Sequence, residues 1–402
     1  MVVGFRGFCV VAAIAFLLVF EDWVSTPSCK LVPSANPFLQ FQVGEEGDDL
    51  KVMMVSDLLL LGSDAGFPNR FFTDYYMSKF FRKSFESLRP DLLLVLGDVS
   101  AKGSELTKSK WMSVLQQFYK VLGPFAGLPF HAVLGDRDIG ECSDLDASKV
   151  DWITHKLPGL DSSGCAAFEI GNITFVSLNT VALLCRNNSL RFDVEKVIER
   201  ESLELRVETE GATKTLNDST NFRDADYNSF GRESSMLPGS GPVLLLHLPL
   251  DQTRNELDDL PLDQTSNEHD GGNDAYKKSL TSFIEGLNVE PKNRELIGSG
   301  IYEMLHTLPI NASEYILQAL KPRIIFSAHR YAFSDHIHRD RTREITVPAM
   351  SWNARDDPAF VIATFQKTGR GVSISYCSLA RESYILLLYV SIMVFFCFVC
   401  CV

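Results

Sequence analysis

Five short apolar runs, each ending at an acidic or histidine residue, constrain the fold of this chain more than any other feature. They are residues 51–57 (KVMMVSD), 91–98 (DLLLVLGD), 130–138 (FHAVLGDRD), 241–247 (GPVLLLH) and 322–329 (PRIIFSAH). Continuous apolar runs of this length are typical of β-strands that are buried on both faces. The chain has 402 residues, 46% of them hydrophobic, which is enough to cover such strands with a sizeable core.

Helical segments separate these predicted strands. Residues 71–88 and 105–122 carry aromatic and aliphatic side chains at helical spacing. The alternation of strand and helix predicts an α/β domain, in which ligand groups lie at the carboxyl ends of the strands.

An apolar segment lies near each end of the chain. Residues 7–20 follow Arg6, and this charge order predicts that the rest of the chain crosses a membrane. The run is short for a membrane span, so residues 1–24 are interpreted as a signal-anchor or a signal peptide. Residues 384–402 are uncharged and long enough to cross a bilayer as a helix. They predict a transmembrane helix, with a GPI-attachment signal as the alternative.

The segment between the ends, residues 45–376, has the features of a lumenal domain of the endoplasmic reticulum or Golgi. The N-x-S/T sequons are Asn172, Asn187, Asn217 and Asn311. The cysteines outside the apolar ends form no metal-type pair, so they are either buried thiols or partners in one or two disulfides. A formal net charge of -13 gives no electrostatic support to a nucleic-acid partner.

Two polar stretches interrupt the predicted domain. Residues 199–240 are rich in Glu, Asp, Asn, Ser and Thr, and are interpreted as a largely disordered surface loop. Residues 248–257 and 260–269 are near copies of each other, which indicates a local duplication inside a second disordered insertion at 251–275. Its aspartates lack the spacing of an EF-hand calcium loop.

The polar residues that end the apolar runs have the chemistry of a metal centre. Hydrolysis of a phosphoester at neutral pH needs a strong nucleophile and cations that face the phosphate, and bound metal ions supply both. Any one of these residues could instead cap a turn or lie in the core, but five strand ends together favour a shared site. The candidate metal ligands are Asp57, Asp98, Asp136, His247 and His329.

The order of these residues resembles the motifs of the calcineurin-like metallophosphoesterase superfamily, namely D-x-H, G-D-x-x, G-N-H-[DE], a lone His and G-H-x-H. The corresponding segments are D-L-L at 57–59, G-D-V-S at 97–100, G-D-R-D at 135–138, L-L-H at 245–247 and A-H-R-Y at 328–331. Two further segments, VPAMSW at 347–352 and NARDDPAF at 353–360, look like the branch that trims ethanolamine-phosphate from GPI anchors in the endoplasmic reticulum.

This resemblance implies a four-layer αββα sandwich, here flanked by terminal membrane helices. It implies a divalent metal centre with one or two ions, Mn²⁺ foremost and Fe or Zn as alternatives. It also implies a phosphoesterase that acts on a membrane-tethered phosphodiester, such as ethanolamine-phosphate on GPI anchors. GPI-anchored proteins would then be partners, and the activity would be linked to secretory-pathway transport.

Three histidine positions of the family pattern are filled by other residues, and Asp136, which can still bind a metal, stands where the pattern has Asn. Leu59 and Tyr331 stand where the resemblance implies metal-binding histidines, so one of the two metal sites is depleted. The ligand positions of the other site are all occupied by residues able to bind a metal. Arg137 stands where a phosphate-facing histidine is implied. It cannot act as a general acid near pH 7, but it can clamp a phosphate and is the candidate catalytic residue.

Three outcomes of these departures remain open at the level of sequence. A single metal ion could work with Arg137 in place of the second cation. His336 or His338 could substitute as a ligand, although their alternation in a predicted strand favours a solvated polar face. The chain could also be a pseudoenzyme that serves as a lumenal, membrane-anchored binding or cargo-sorting protein.

Overall fold

Two β-sheets and their covering helices make up the part of the chain that the structure, a computed structural model, describes. The described residues are 2–33, 49–185, 189–218, 241–252, 307–366 and 371–401. Within them the strands form two six-stranded sheets. The mixed α/β class predicted from the sequence is confirmed.

The strands in chain order are β1 (Ser28–Leu31), β2 (Leu50–Val55), β3 (Leu92–Leu96), β4 (Phe130–Val133), β5 (Ala166–Ile170), β6 (Ile173–Ser177), β7 (Val243–Leu245), β8 (Ile324–Ser327), β9 (Ser334–Ile337), β10 (Arg343–Thr346), β11 (Ala359–Phe365) and β12 (Val372–Ser378). The helices are α1 (Val2–Val24), α2 (Asp74–Leu88), α3 (Lys108–Leu122), α4 (Asp136–Ile139), α5 (Ala147–Thr154), α6 (Thr180–Leu184), α7 (Ser189–Asp218), α8 (Ile310–Leu320) and α9 (Glu382–Cys401). The five predicted strands correspond to β2, β3, β4, β7 and β8.

Each sheet contains a run of neighbouring parallel strands. The first sheet has the order β1-β12-β11-β2-β3-β4, and β2, β3 and β4 are parallel. The second sheet has the order β5-β6-β7-β8-β10-β9, and β6, β7 and β8 are parallel. Parallel strands bring their carboxyl ends to one edge of a sheet, which is where a ligand site is expected in α/β proteins.

The side chains of the central strands alternate between two apolar layers. Val52 and Met54 of β2 point between the sheets, where Phe326 of β8 belongs to the same buried cluster. Met53 of β2 points the other way, into the layer that contains Phe80 of α2. Helices α7 and α8 cover the outer face of the second sheet in the same manner. The layers therefore run helix, sheet, sheet, helix, and each large apolar side chain buried there contributes about 1.5–3 kcal/mol.

The long helix α7 corrects one prediction from the sequence. Residues 199–240 were expected to be a disordered loop, but residues 199–218 continue α7. The prediction failed because Glu, Leu, Arg and Lys are good helix formers even in a polar segment, and because Val194 and Ile198 anchor the helix in the core. Residues 219–240, and most of the predicted insertion at 251–275, lie outside the described residues.

The two ends of the chain come together beside the first sheet. Cys29 of β1 and Cys377 of β12 are paired across the sheet edge and form a disulfide. A second disulfide joins Cys142 and Cys185, whereas Cys165 is a buried free thiol.

No helix of the described residues is long and apolar enough to cross a membrane. In the two terminal helices, the residues described with their side chains are 11–24 of α1 and 382–398 of α9. The terminal membrane helices therefore stay a prediction.

Candidate metal centre

The candidate ligands follow the carboxyl ends of five parallel strands, at the edge where the two sheets meet. Asp57, Asp98 and Asp136 come shortly after β2, β3 and β4 of the first sheet. His247 and His329 come two residues after β7 and β8 of the second sheet. Within each sheet the ligands converge because the strands that carry them are neighbours and parallel, and the packing of the two sheets brings the two groups together.

Four of these residues form a single cluster. Ligand atoms of Asp98, Asp136, His247 and His329 all lie within 4.8 Å of one another, and the side chains are largely buried. Oδ1 of Asp136 lies 2.8 Å from Nε2 of His247 and 3.0 Å from Nδ1 of His329, and Oδ1 of Asp98 lies 3.5 Å from Nε2 of His247. Two carboxylates and two imidazoles at such distances are a donor set that divalent transition metals accept. The convergence predicted from the sequence is present.

His247 is oriented by the chain that precedes Asp98. Its Nδ1 lies 2.8 Å from the carbonyl oxygen of Leu96, so this nitrogen carries the proton and Nε2 is left as the metal-facing atom. The contact requires Gly97, whose φ is +91°, because a Cβ atom at this position would collide with the His247 ring. Gly135 is needed for a similar reason, since a Cβ atom there would collide with the carboxylate of Asp98.

Burial shapes the charges of the cluster. Burial raises the pKa of the Asp57 carboxyl, and it raises the pKa of Asp98 well above its usual range. Burial opposes the charged form of His247, yet the carboxylates of Asp98 and Asp136 raise its pKa well above the ordinary value. Burial also acts on Asp136, but hydrogen bonds from His247 and His329 lower its pKa overall. The carboxylates of Asp57 and Asp98 are thus held out of water without full compensation, a situation that a bound cation relieves.

Two further observations fit a metal ion at this position. Neither carboxylate oxygen of the fully buried Asp57 accepts a hydrogen bond within the described part of the chain, and the same is true of Oδ2 of Asp98. Buried acceptors without donors cost about 1–3 kcal/mol or more each, so native proteins retain them where a ligand or ion completes the site. Asp57 is not within the four-residue cluster, but it interacts electrostatically with His247 and His329.

Asp138 supports the site and does not belong to the donor cluster. Its buried carboxylate accepts hydrogen bonds from the backbone N–H groups of Ser100 (2.8 Å), Gly135 (3.1 Å) and Val99 (3.3 Å). These bonds tie the loop after β3 to the loop after β4. Asp138 therefore fixes the relative positions of Asp98 and Asp136.

Arg137 lies directly against Asp98. Its backbone N–H donates to Oδ1 of Asp98 at 3.0 Å, while its guanidinium Nε lies 3.5 Å from Oδ2 of the same carboxylate. The guanidinium also donates to the hydroxyl oxygen of Tyr331 at 2.6 Å. The Arg137 side chain remains 43% exposed, so it can still contact a bound phosphate.

The two positions that lack the expected histidines keep an unusual backbone. Leu59 and Tyr331 have φ values of +50° and +59°, and Asp57, Asp98 and His329 also lie in the left-handed region. Such a conformation costs a residue other than glycine about 1–3 kcal/mol and persists only when its surroundings enforce it. Leu59 is buried and offers no ligand atom.

Asn353 and Arg355 enforce this backbone, and sequence reasoning gave neither of them a role. The side-chain amide of Asn353 donates to the carbonyl oxygen of Leu59 at 3.2 Å. The guanidinium of Arg355 donates to the carbonyl oxygen of Tyr331 at 2.7 Å. Both residues belong to the segment 353–360, whose resemblance to a family branch was the available signal, but their contacts span long stretches of chain.

His336 and His338 do not join the metal-type cluster among the described residues. His338, the residue that follows β9, is buried, and its Nε2 lies 2.7 Å from Oε2 of Glu344. The expectation of a solvated polar face is therefore wrong for His338, because the paired strand β10 places a buried carboxylate beneath it. The ring of His336 packs against that of His338.

Sequence comparison finds relatives over most of the chain. Proteins named Metallophosphoesterase 1 are 26% identical over 341 residues in Pongo abelii, 25% over 344 residues in Xenopus laevis and 23% over 351 residues in Danio rerio. These alignments cover 85%, 85% and 87% of this chain and 74%, 75% and 80% of the relatives. No protein-family model matches the chain.

Comparison of structures gives looser similarities. A dimetal phosphatase from Danio rerio superposes with a TM-score of 0.38 and 10% identity, over 79% of this chain and 92% of that one. A purple acid phosphatase from yellow lupin (Lupinus luteus) seeds gives a TM-score of 0.41 and 10% identity, over 85% and 55% of the two chains. TM-scores of this size do not establish a common fold by themselves.

Proposed function

Because this chain belongs to the calcineurin-like metallophosphoesterase superfamily, we propose that it hydrolyses a phosphoester bond with a divalent metal ion held by Asp98, Asp136, His247 and His329. The observation that carries the proposal is the convergence of these four side chains within 4.8 Å at the meeting edge of the two sheets. Asp57 assists from the end of β2, and its buried, uncompensated carboxylate strengthens the attraction for a cation.

In the proposed reaction His247 and Arg137 have separate roles. A bound divalent ion acidifies water and polarises the phosphoryl group. His247 keeps Nε2 towards the ion because its Nδ1–H donates to the carbonyl of Leu96. Arg137 donates N–H groups to phosphoryl oxygens and offsets their charge. Attack by the oxygen of water breaks the bond from phosphorus to the leaving alkoxide, and the products are a phosphomonoester and an alcohol once the alkoxide takes up a proton.

An assay with single substitutions tests this function. The full chain in mild detergent is given a nitrophenyl phosphodiester with Mn²⁺, Fe²⁺ or Zn²⁺ in turn. We expect His247→Ala and Asp136→Ala to lower kcat/KM by at least about 100-fold, since each removes a metal ligand. His155→Ala is the matched control, because His155 is an exposed histidine outside the site. Full activity of the His247→Ala enzyme would remove the assignment.

We also propose that the domain faces the lumen of the endoplasmic reticulum or Golgi. Two disulfides favour an oxidising compartment, because such bonds are rare in the cytosol. The sequons at Asn172 and Asn311 have exposed asparagines, as glycosylation requires. Asn217 lies in the part of α7 whose side chains are outside the description, and Asn187 lies outside the described residues. A shift in electrophoretic mobility on endoglycosidase treatment, lost in the double variant Asn172→Gln with Asn311→Gln, would support this location. No shift from any sequon would contradict it.

Contacts between the terminal helices and the domain support a membrane-tethered substrate. The carboxylate of Glu21 in α1 accepts hydrogen bonds from Lys79 and Tyr75 of α2, both at 2.9 Å, and from Tyr389 of α9 at 2.5 Å. With the Cys29–Cys377 disulfide, this arrangement holds both apolar helices against the catalytic domain as one unit. If the helices anchor the chain, the site keeps a fixed orientation to the bilayer and suits a phosphodiester on a lipid-anchored glycan.

The proposed substrate is an ethanolamine-phosphate phosphodiester on a GPI anchor, and GPI-anchored proteins are the proposed partners in secretory-pathway transport. Its support is the resemblance of residues 347–360 to the branch with this substrate. The test measures release of ethanolamine-phosphate from GPI-anchored proteins in detergent micelles by the wild type and by His247→Ala. Equal background release by both enzymes, with wild-type activity retained on the nitrophenyl diester, would reject this substrate and keep the phosphoesterase.

A pseudoenzyme with a binding or cargo-sorting role is the alternative. Its support is that Leu59 and Tyr331 stand where the resemblance implies two histidine ligands of a second metal site. This alternative predicts less than one equivalent of bound metal per chain and no turnover with any ion. It also predicts that Leu59→His combined with Tyr331→His would create activity in a silent wild type. One equivalent of metal together with wild-type turnover would exclude it.

A further inference from the structure

We propose that the guanidinium of Arg137, positioned by the Tyr331 hydroxyl, takes the place of a second metal ion, so that the centre works with one divalent ion and one fixed organic cation. This inference rests on the proposed function. It goes further by assigning a number of metal ions, a catalytic role to a cation and a positioning role to Tyr331.

The first step is the position of the guanidinium. Asp98 is fully buried, and its Oδ1 faces the metal-type cluster while also accepting the backbone N–H of Arg137. Its other oxygen, Oδ2, accepts no hydrogen bond and has the Nε of Arg137 at 3.5 Å. The carboxylate of Asp98 thus lies between two partners: the metal-type cluster is beside Oδ1, and the Arg137 guanidinium is beside Oδ2.

The second step is that few atoms able to bind a metal ion lie around this guanidinium. Leu59 contributes a buried aliphatic side chain without a ligand atom. The hydroxyl oxygen of Tyr331 accepts a hydrogen bond from the Arg137 guanidinium at 2.6 Å. The guanidinium carbon Cζ lies 5.8 Å from the centre of the Tyr331 ring. The hydroxyl oxygen of Tyr331 is occupied by Arg137, so the carboxylates left for a second ion are those of Asp57 and Asp98. Two carboxylates without a nitrogen ligand form a weak site for a transition metal.

The third step is the balance of charge. Asp57, Asp98 and Asp136 carry three negative charges when ionised. One divalent ion and one guanidinium carry three positive charges and neutralise them. The buried carboxylate of Asp138 lies outside the donor cluster and accepts three backbone N–H groups, so it is not included in this balance. A second divalent ion in addition to Arg137 would leave excess positive charge in a buried site, which is costly.

The fourth step is the backbone that holds Tyr331. Arg355 donates to the Tyr331 carbonyl, and the N–H of Ala349 donates to the same oxygen at 3.0 Å. These bonds fix Tyr331 in its left-handed conformation with the hydroxyl directed at Arg137. Tyr331 is therefore a positioning residue, and Arg137 is the catalytic residue that contacts the phosphate.

The experiment counts metal ions and probes their coupling. The full chain in mild detergent is equilibrated with excess Mn²⁺, passed through a desalting column and measured by mass spectrometry and by electron paramagnetic resonance. We expect about one Mn²⁺ per chain and the six-line spectrum of an isolated ion. Two ions per chain with an exchange-coupled spectrum would overturn this inference and leave the phosphoesterase proposal standing. No bound metal would overturn both.

Substitutions of Arg137 test its role through two measurements, the affinity for Mn²⁺ and kcat, which should change in opposite directions. Arg137→Met removes a positive charge from beside a ligand carboxylate, so we expect Mn²⁺ to bind at least about threefold more tightly. The kcat should fall at least about 100-fold, as for loss of a charge-stabilising group. Arg137→Lys should recover part of kcat, and Tyr331→Phe should lower kcat with the metal count unchanged. Weaker Mn²⁺ binding by Arg137→Met would contradict the inference, as would undiminished kcat. Arg82→Met, at an exposed position on α2, is the control.

Discussion

The substitution Gly97→Ala separates the geometry of the metal centre from the stability of the fold. Gly97 has a φ of +91°, and a Cβ atom there would collide with Nδ1 and Cγ of His247. In this backbone region a residue other than glycine destabilises the folded state by about 1–3 kcal/mol. Displacement of His247 from the carbonyl of Leu96 leaves a buried ring N–H without its acceptor, at about 1–3 kcal/mol more. The free energy of unfolding of the metal-free chain should therefore fall by about 2–6 kcal/mol.

The metal affinity should fall as well, because the Leu96 carbonyl is the partner that orients His247. Loss of such a partner typically costs 10–100-fold in metal affinity. Urea unfolding of the metal-free chain in detergent measures the first effect, and calorimetric titration with Mn²⁺ measures the second. Gly66→Ala is the control, since its new Cβ would have only Pro68 within 4 Å, at 3.8 Å, and both quantities should stay within error. Wild-type Mn²⁺ affinity in Gly97→Ala would refute the orientation argument.

Two other predictions concern residues outside the donor cluster. Burial lowers the pKa of His131 to about 4, and the ring lies 2.9 Å from Oγ of Ser177 in the other sheet. The folded state binds this proton less readily than the unfolded state, whose pKa is about 6.5, so stability is lost as the pH falls from about 6.5 to about 4. The loss amounts to about 3 kcal/mol. Urea unfolding at several pH values should show this slope in the wild type and a shallower one in His131→Gln; equal slopes would reject it. Asn353→Ala should lower the free energy of unfolding by about 1 kcal/mol and reduce kcat, because the Leu59 carbonyl loses its donor. Asn311→Ala, on the exposed side of α8, should change neither quantity, and an unchanged kcat in Asn353→Ala would show that Leu59 needs no such support.

The strands and the ligands were predictable because their signals are local. Each apolar run is long enough for one buried strand, and the residue at its end is placed by the strand itself. Because β2, β3 and β4 are parallel, Asp57, Asp98 and Asp136 reach one edge of the first sheet, and the parallel β7 and β8 bring His247 and His329 to one edge of the second. The rule on parallel sheets thus groups the ligands within each sheet, whereas the meeting of the two groups depends on how the sheets pack.

The parts that sequence could not supply depend on contacts between distant segments. The Cys29–Cys377 pair has a sequence separation of 348, and nothing in the local sequence selects it among the possible pairings. Glu344 lies opposite His336 in the strand register, yet its carboxylate reaches His338, and neither fact has a local signature. Helix α7 was missed for another reason, because its polar composition was taken as a sign of disorder, while a few buried positions such as Ile198 were enough to anchor it.

The left-handed backbone at Leu59 and Tyr331 explains how the site keeps its shape without histidines at these two positions. If metal-binding side chains alone held this backbone, leucine and tyrosine there would let the loops relax and release the strain of about 1–3 kcal/mol per residue. Both carbonyls are instead held by Asn353 and Arg355, from a segment that follows neither loop directly. Hydrogen bonds within the protein therefore hold the frame of the site. Within this frame the hydroxyl oxygen of Tyr331 accepts a hydrogen bond from Arg137, whose guanidinium lies beside Asp98.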